Sequence, residues 1–301
     1  MEKMVPKNLW KNNVLYQSEK LIEVYSNKLI ELSIFDHAKN HKNGTNGATG
    51  GKNIDETKQH FAERFLTSSA RVQFVVIDPR EDFTIVSNNL KATFGSGKIS
   101  ILDIPAGTGA GILSLLSNLA ELRINSKLPK LPLHINILGG DYSPSALNIY
   151  SDLLKNIKKE LENQLIFIEY DTYEWDATSP ESTNLLIRRF LKDENSYEEH
   201  YIFMSAFSGV GSSNYKKFDK SFDFMQTALS HLNTTILYIE PNMKEANSFL
   251  EFIHKLHTKL TTWLSKVIDI SIAKDARFEW YDPITENIAK SDILLKQYLR
   301  K

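Results

Sequence analysis

The sequence predicts an α/β fold: a mostly parallel central sheet of about seven strands with helices on both faces, preceded by an N-terminal helical cap. Three observations point to it. Five short β-rich runs, KISILDI (98–104), HINILGG (134–140), QLIFIEY (164–170), HYIFMSA (200–206) and TTILYIE (234–240), start about 30–36 residues apart. Helical stretches starting near Gly109, Pro144, Glu181 and Lys220 separate them, the rhythm of β-α-β units whose right-handed crossovers build a parallel sheet. Before the alternation begins, residues 8–36 carry apolar side chains at helical spacing.

In chain order, Val14, Leu15, Leu21, Ile22, Val24, Tyr25, Leu29, Ile30, Leu32 and Ile34 predict one or two amphipathic helices. Residues 38–53, AKNHKNGTNGATGGKN, have little to bury and predict a mobile loop. Asp55 is positioned to cap a helix over DETKQHFAERFL, with Phe61, Phe65 and Leu66 inward. RVQFVVIDPREDFTIV then suggests two short strands around the DPRED turn. After the fifth strand, a helix is expected over roughly 243–265, then two closing strands near 267–273 and 276–281 and an amphipathic segment, DILLKQYL. These elements divide into a cap at 1–75, with its loop at 38–53, and a second domain at 76–301.

Composition narrows the chemistry. The chain has no cysteine, which excludes disulfides, zinc–thiolate sites, iron–sulfur clusters and a thiol nucleophile. A net charge of -1 gives no global attraction to nucleic acid or anionic membrane. The N-terminal MEKMVPKNLWKNNVLY lacks the apolar core of a signal peptide, and no run approaches the roughly 20 apolar residues of a membrane span, so a cytoplasmic protein is expected. GATGGKN imitates a phosphate-binding loop, but asparagines at positions 46 and 53 break that pattern and no strand precedes it.

The densest information lies in SILDIPAGTGAGILSLL, where an apolar strand ends at Asp103 and a turn of small residues leads into a helix. Glycines there let a ligand lie against bare backbone at a helix N-terminus. A nicotinamide dinucleotide site wants G-x-G-x-x-G, whereas Gly107 and Gly109 are followed by Gly111, with Ile112 at the third position. Asp141, ending the second strand in GGDYSPSALNIY, suits both hydroxyls of a ribose. Ser143 caps the next helix and Pro144 opens it. In YDTYEWDATSP, Asp176 is placed to accept from the exocyclic amine of an adenine, with the Ala177 N–H beside it.

LDIPAGTGAG, GGDYSPSAL and WDA, in this order and spacing, resemble the first three motifs of the class I, Rossmann-like S-adenosylmethionine-dependent methyltransferases. The resemblance covers roughly residues 98–242. It implies S-adenosylmethionine as cofactor. Asp103 and the turn Pro105, Ala106, Gly107, Thr108 and Gly109 would hold its methionine part. Asp141 would bind the ribose and Tyr142, next to Ser143, would pack on the adenine, whose edge Asp176 and Ala177 would read; Ser205 would lie near the sulfonium. Pro105 replaces the usual first glycine and removes one N–H donor, and the insert NSKLPKLPLH separates the first two motifs unusually far.

Methyl transfer is an in-line displacement, so the protein chiefly aligns the acceptor and excludes water. MSAFSGVGSSNYKK lacks the Asp/Asn-Pro-Pro-Tyr/Phe motif that the family associates with amino-group methylation, and it offers no carboxylate at 204–209 for a magnesium-dependent catechol-type site. The missing thiol excludes the covalent route to cytosine C5. No metal is expected. Catalytic candidates are Ser205, Glu240 and Asn242; Phe207 is a candidate pocket wall, and Tyr215, His60, Arg64 and Arg71 are candidates from a lid. The pairs His37/His41 and His254/His257 lack a third metal ligand. Lys155, Lys158, Lys159, Lys216, Lys217 and Lys220 are interspersed with acids and read as solvated faces, so a small-molecule or protein acceptor is slightly favoured over RNA. The sequence names neither acceptor nor oligomeric state. Two other readings share the cofactor motifs: a non-catalytic S-adenosylmethionine-binding subunit acting as sensor or scaffold, and an aminopropyl-transfer enzyme, which the lack of an acidic pair after the fourth strand disfavours.

Overall fold

The structure is a computed structural model that describes residues 5–41, 53–205, 207, 215–242, 251 and 272–300. In order, β1 (Trp10–Lys11), β2 (Val14–Leu15), α1 (Glu19–Glu31), α2 (Phe35–Asn40), α3 (Ile54–Ile77) and α4 (Thr84–Thr93) lead into the alternating region. There follow β3 (Gly97–Asp103), α5 (Ala110–Ile124), β4 (Leu133–Asp141), α6 (Pro144–Asn163), β5 (Ile166–Glu174), α7 (Pro180–Phe190), β6 (Glu199–Ser205), α8 (Tyr215–Ala228) and β7 (Thr234–Glu240). A hairpin of β8 (Ile272–Asp282) and β9 (Asn287–Arg300) completes the sheet.

The sheet runs β1-β2-β8-β9-β7-β6-β3-β4-β5. Among the described residues it has nine strands rather than the expected seven or so, because the N-terminal segment adds two short ones beside β8. β3 to β7 are mutually parallel, and β9 enters antiparallel between β7 and β8. From β3 the chain first moves outward through β4 and β5, then returns to the other side of β3 with β6 and β7. That reversal opens a crevice beyond the carboxyl ends of β3 and β6, where open α/β sheets bind ligands.

Strand alternation builds two cores. Ile99, Ile101, Ile135, Ile137, Tyr201, Phe203, Leu237 and Ile239 face α1, α3, α5 and α6. Leu102, Ile104, Leu138, Ile202, Met204 and Tyr238 face α7 and α8. α6 shows why such a helix forms: Ser143 accepts the Ala146 N–H, Pro144 opens the first turn, and Leu147, Tyr150, Leu154, Ile157 and Leu161 are buried along one stripe. Arg123, buried at the end of α5, donates to the carbonyls of Gly95, Leu131, Gln164 and Leu165 at 2.6–3.2 Å and so ties together the entrances to β3, β4 and β5.

Several expected elements differ. Val14 and Leu15 form β2 instead of a helical turn. The two strands expected over 71–86 are the end of α3 and the start of α4. Val72, Phe74, Val75, Val76 and Ile77 are all buried, and continuous burial overrides the β preference of branched residues. Asn53, not Asp55, caps α3 by accepting the Glu56 N–H. The closing strand expected near 276–281 lies within β8 and the amphipathic segment DILLKQYL within β9, the two joined by a turn in which Asp282 accepts the N–H groups of Ile284 and Thr285, while most of the strand expected near 267–273 lies outside the described residues. The glycine-rich 42–52 and the helix expected over 243–265, with His254 and His257, lie outside the described residues. Among the described residues no helix is long and apolar enough to cross a membrane.

Two features raise walls above the carboxyl edge. Beyond Leu294, which pairs with Glu240 at the end of β7, the β8–β9 ladder continues from Ala276–Ile293 to Asp282–Asn287. Against this overhang packs α3, with Phe74 stacked on Phe278 at 4.4 Å between ring centroids.

Candidate functional site

The turn after β3 is shaped by two glycines with positive φ, Gly107 at +51° and Gly109 at +87°. A Cβ at Gly109 would stand 2.8 Å from Leu113 Cδ1 and 2.9 Å from Tyr150 Cδ2, so both conformation and packing require glycine there. A Cβ at Gly107 would meet nothing within 4 Å: this residue presents bare backbone to open space. Pro105 follows a cis peptide bond, Ala106 donates its N–H to Gly140 O, and Thr108 is buried. No side chain caps the start of α5.

Asp141 joins this turn to the next. Its Oδ2 accepts the Gly107 N–H at 2.8 Å and its Oδ1 the Ser143 N–H at 2.9 Å, and its carbonyl accepts the Trp175 N–H at 2.8 Å. Burial pushes its carboxyl up, and the backbone donors oppose that shift. Each oxygen keeps a lone pair for a ligand hydroxyl. Tyr142, beside it, is 61% exposed, an unusual position for an aromatic ring. Ser143 is buried, and its hydroxyl is committed to the α6 cap and a 3.3 Å contact with Thr57 of α3.

Asp103 is only 2% exposed, and its Oδ2 is buried without a hydrogen-bond partner. Burial holds its carboxyl well above the usual range; the Tyr150 hydroxyl facing it counters this, and Asp141 adds to it. The hydroxyl completes no hydrogen bond of normal geometry with it. Asp176, half-buried after β5, accepts the N–H and hydroxyl of Thr178 on one oxygen, and Ala177 packs on the second core. The acids Asp103, Asp141 and Asp176 thus follow consecutive parallel strands along one edge.

On the other side of the crevice the expected catalytic residues diverge. Ser205 ends β6, half-buried and close to Gly111 on the first turn of α5. Glu240 is fully buried and its Oε1 accepts the Phe207 N–H at 2.6 Å. Asn242 donates to Asp275 Oδ2 at 3.2 Å, toward β8. Phe207 packs in the second core with Trp175, Phe218 and Phe222 rather than lining a pocket. Tyr215 opens α8.

α3 supplies what the sequence motifs do not. Thr57 reaches the start of α6, Ser69 Oγ donates to Ala110 O at the start of α5, and Ser114 Oγ donates back to Ser69 O. Arg71 Nε donates to Asp292 O on β9; burial lowers its guanidinium to about 10, still charged at neutral pH, while Glu240 and Asp292 oppose that shift. Tyr150 is the other residue without an assigned role in the sequence reading, although its place on the apolar stripe of α6 was visible.

His37 and His41 approach Glu63 Oε1 at 3.1 and 3.6 Å, and beside them a small cavity is lined by His41, Glu63, Trp280 and Thr285. Among the described residues no group of three or more His, Cys, Asp or Glu side chains is arranged to hold a metal ion. The lysines of α6 and α8 stand on helices covering opposite faces of the sheet and form no common patch.

Fold and edge together define an open α/β protein whose topological switch point falls at the carboxyl ends of β3 and β6. No family model and no curated protein matches the sequence. Among solved structures, the chain is similar to a precorrin-6y C5,15-methyltransferase from Geobacter metallireducens, with 12% identity over 72% of this chain and 89% of that one and a TM-score of 0.37. It is also similar to an S-adenosylmethionine-dependent O-methyltransferase from Thermotoga maritima, with 10% identity, coverage of 74% and 66%, and a TM-score of 0.35. A third similar structure was described for the conversion of a disulfide bond into a thioacetal group during echinomycin biosynthesis, with 12% identity, coverage of 70% and 78%, and a TM-score of 0.35.

Proposed function

We propose that this chain is an S-adenosylmethionine-dependent methyltransferase that works without a metal on a small-molecule or protein acceptor. The observation that carries the reading is the Asp141 carboxylate, which bridges the N–H groups of Gly107 and Ser143 beside the open backbone of Gly107. The residues fit the cofactor in chemistry as well. Asp103 offers a buried, unpartnered carboxylate oxygen suited to an ammonium group. Asp141 has lone pairs for ribose hydroxyls, and exposed Tyr142 offers a ring for an adenine face.

When bound, the cofactor supplies a methyl group on a positively charged sulfur, so the protein need not activate the donor. Its own residues bind, orient and exclude water. Asp141 fixes the glycine turn as well as the ribose, and Glu240 holds the backbone at Phe207 and fixes the acceptor side. Ser205, at the end of β6, is the side chain we assign nearest the transferring methyl group.

Titration calorimetry with S-adenosylhomocysteine tests this. Micromolar binding is expected in the intact chain, weakened at least about tenfold by Asp141→Ala, because a hydrogen bond to a charged group is worth roughly 1.5–3 kcal/mol. Absence of binding would remove the reading. Binding without methyl transfer from labelled cofactor to any component of a cell extract would favour a non-catalytic subunit.

A further inference from the structure

Tyr150 is fully buried on α6, and its ring fills space where two glycines carry no side chain. A Cβ at Gly109 would stand 2.9 Å from Tyr150 Cδ2, and one at Gly139 would stand 3.0 Å from both Cε1 and Cζ. One edge of the ring therefore lies against the glycine turn and its tip against β4. Gly139 is the register partner of Asp103 on β3. Paired residues of adjacent strands point to the same face of a sheet, so the Asp103 side chain leaves on the face where the tip of Tyr150 lies. Ile101, two residues before Asp103 in its strand, shares a core with Tyr150 on that face.

Two polar groups meet there without satisfying each other. Neither the Tyr150 hydroxyl nor Asp103 Oδ2 completes a hydrogen bond, although both are buried. An orphaned donor beside an orphaned acceptor is costly on both sides, most of all when the acceptor is charged. Burial holds the Asp103 carboxyl well above the usual range, the Tyr150 hydroxyl counters this, and Asp141 adds to it. Burial and the facing Asp103 raise the Tyr150 phenol in turn, so it keeps its proton and meets a carboxylate as a donor. Among the described residues, the titratable groups acting on Asp103 are thus Tyr150 from α6 and Asp141 from β4. The other neighbours at this point are apolar: Phe203, its register partner on β6, and Leu113 of α5 beside Gly109.

We propose that Tyr150 is a positioning residue for the cofactor: its hydroxyl donates to the Asp103 carboxylate from the α6 side and so fixes the group that takes the cofactor's ammonium. The ligand in this proposal rests on the methyltransferase reading; the pairing of the two side chains does not. A carboxylate oxygen has more than one lone pair, so phenol and ammonium donate to Asp103 together. Gly109 and Gly139 then share a purpose, since both admit the ring that reaches Asp103.

Tyr150→Phe removes the hydroxyl and keeps the ring. Thermal melts of the ligand-free chain between about pH 4 and about pH 9 read the pair without any cofactor. A carboxyl raised above its unfolded value gives stability at low pH that is lost as pH rises through the folded value; without its donor it is raised further and loses more. Tyr150→Phe is therefore expected to lose more stability than wild type as pH rises, the gap in melting midpoint widening by roughly 2–5 °C. The widening is expected to vanish when both proteins also carry Asp103→Asn. A gap that stays constant or narrows with pH overturns the proposal, and so does one that widens equally in the Asp103→Asn background. Should Tyr150→Phe fail to fold, the double variant decides: folding restored by Asp103→Asn shows that the stranded charge was the cause, and continued failure overturns the pairing. Titration calorimetry reads the ligand. At about pH 7, S-adenosylhomocysteine is expected to bind Tyr150→Phe at least about tenfold more weakly than wild type, a difference that narrows toward about pH 8. Equal affinity overturns the positioning role. If S-adenosylhomocysteine binds neither protein, the methyltransferase reading fails, while the melts still decide the pairing.

Discussion

Replacing Asp103 by asparagine should stabilise the ligand-free chain while damaging its binding. Asp103 is 2% exposed, and its Oδ2 lacks a partner. Burial holds the carboxyl well above the usual aspartate range, the Tyr150 hydroxyl counters the shift, and Asp141 reinforces it. A carboxyl raised in this way binds its proton more tightly folded than unfolded. Its contribution to stability is therefore present at low pH and is lost as pH rises from the ordinary aspartate range through the folded value. Asparagine keeps the shape without the charge. An unpaired buried acceptor costs about 1–3 kcal/mol, and a charged one more, so the variant should gain about that much once the wild-type carboxyl is ionised. For a chain of this size, the gain corresponds to roughly 2–5 °C in melting midpoint. Calorimetric melts of both proteins at about pH 8 and about pH 4, without ligand, should show a gap that narrows in acid, where the wild type also carries its proton. On the methyltransferase reading, the ammonium of the cofactor is the partner that Asp103 lacks, so S-adenosylhomocysteine should bind the variant at least about tenfold more weakly. A variant that melts lower at the higher pH, or a gap that does not change with pH, would refute the reasoning.

Three further substitutions probe the same edge and its support. Gly109→Ala should lower unfolding free energy by about 2–4 kcal/mol in urea titrations, since it combines a left-handed backbone with contacts of 2.8 and 2.9 Å. Gly107→Ala, with nothing within 4 Å of its Cβ, should cost only about 1–2 kcal/mol of stability yet weaken S-adenosylhomocysteine by obstructing bare backbone; equal stability losses for the two variants would contradict this. Arg123→Leu strands carbonyls that three strand entrances share and should cost about 3 kcal/mol or more, measured by the urea midpoint, with a loss under about 1 kcal/mol counting against that role.

The alternating half of the chain was legible because each signal there has a local cause. β7 begins and ends where TTILYIE does, and α6 starts at the Ser143-Pro144 signal. Asp103 and Asp141 fall at strand ends, where each apolar run gives way to a turn of small or polar residues. RVQFVVI was misread because a short apolar run has no period of its own: strand and helix bury it equally well, and only its continuation from the amphipathic turns before it decides. β1 and β2 escaped because two-residue strands carry no pattern, and the pairing of β2 with β8 joins positions far apart in sequence. DILLKQYL resisted assignment for the converse reason, since β9 is buried between β7 and β8 and loses the alternation of a half-exposed strand. At the site, the bond of Asp141 to the Ser143 N–H is local and follows from its turn, whereas its bond to the Gly107 N–H and the contacts of Asn242 with Asp275 and of Arg71 with Asp292 cross between distant segments.

That contrast also separates two ways in which the carboxyl edge of the sheet is built. Residues 103–109, 141–143 and 176–177 lie within turns that directly follow parallel strands, so their geometry is set by the sheet. The opposite wall is set by how α3 is fastened, through Ser69 and Ser114 to α5 and through Thr57 to α6. A reciprocal pair of hydroxyl–carbonyl bonds fixes the axial position of α3 relative to the glycine turn, because Ser69 accepts from one residue on α5 and donates to another about one turn away. Sliding α3 by a single residue, about 1.5 Å, would break both bonds. Ser69 and Ser114 therefore tie the placement of α3 to the helix start that directly follows the glycine turn.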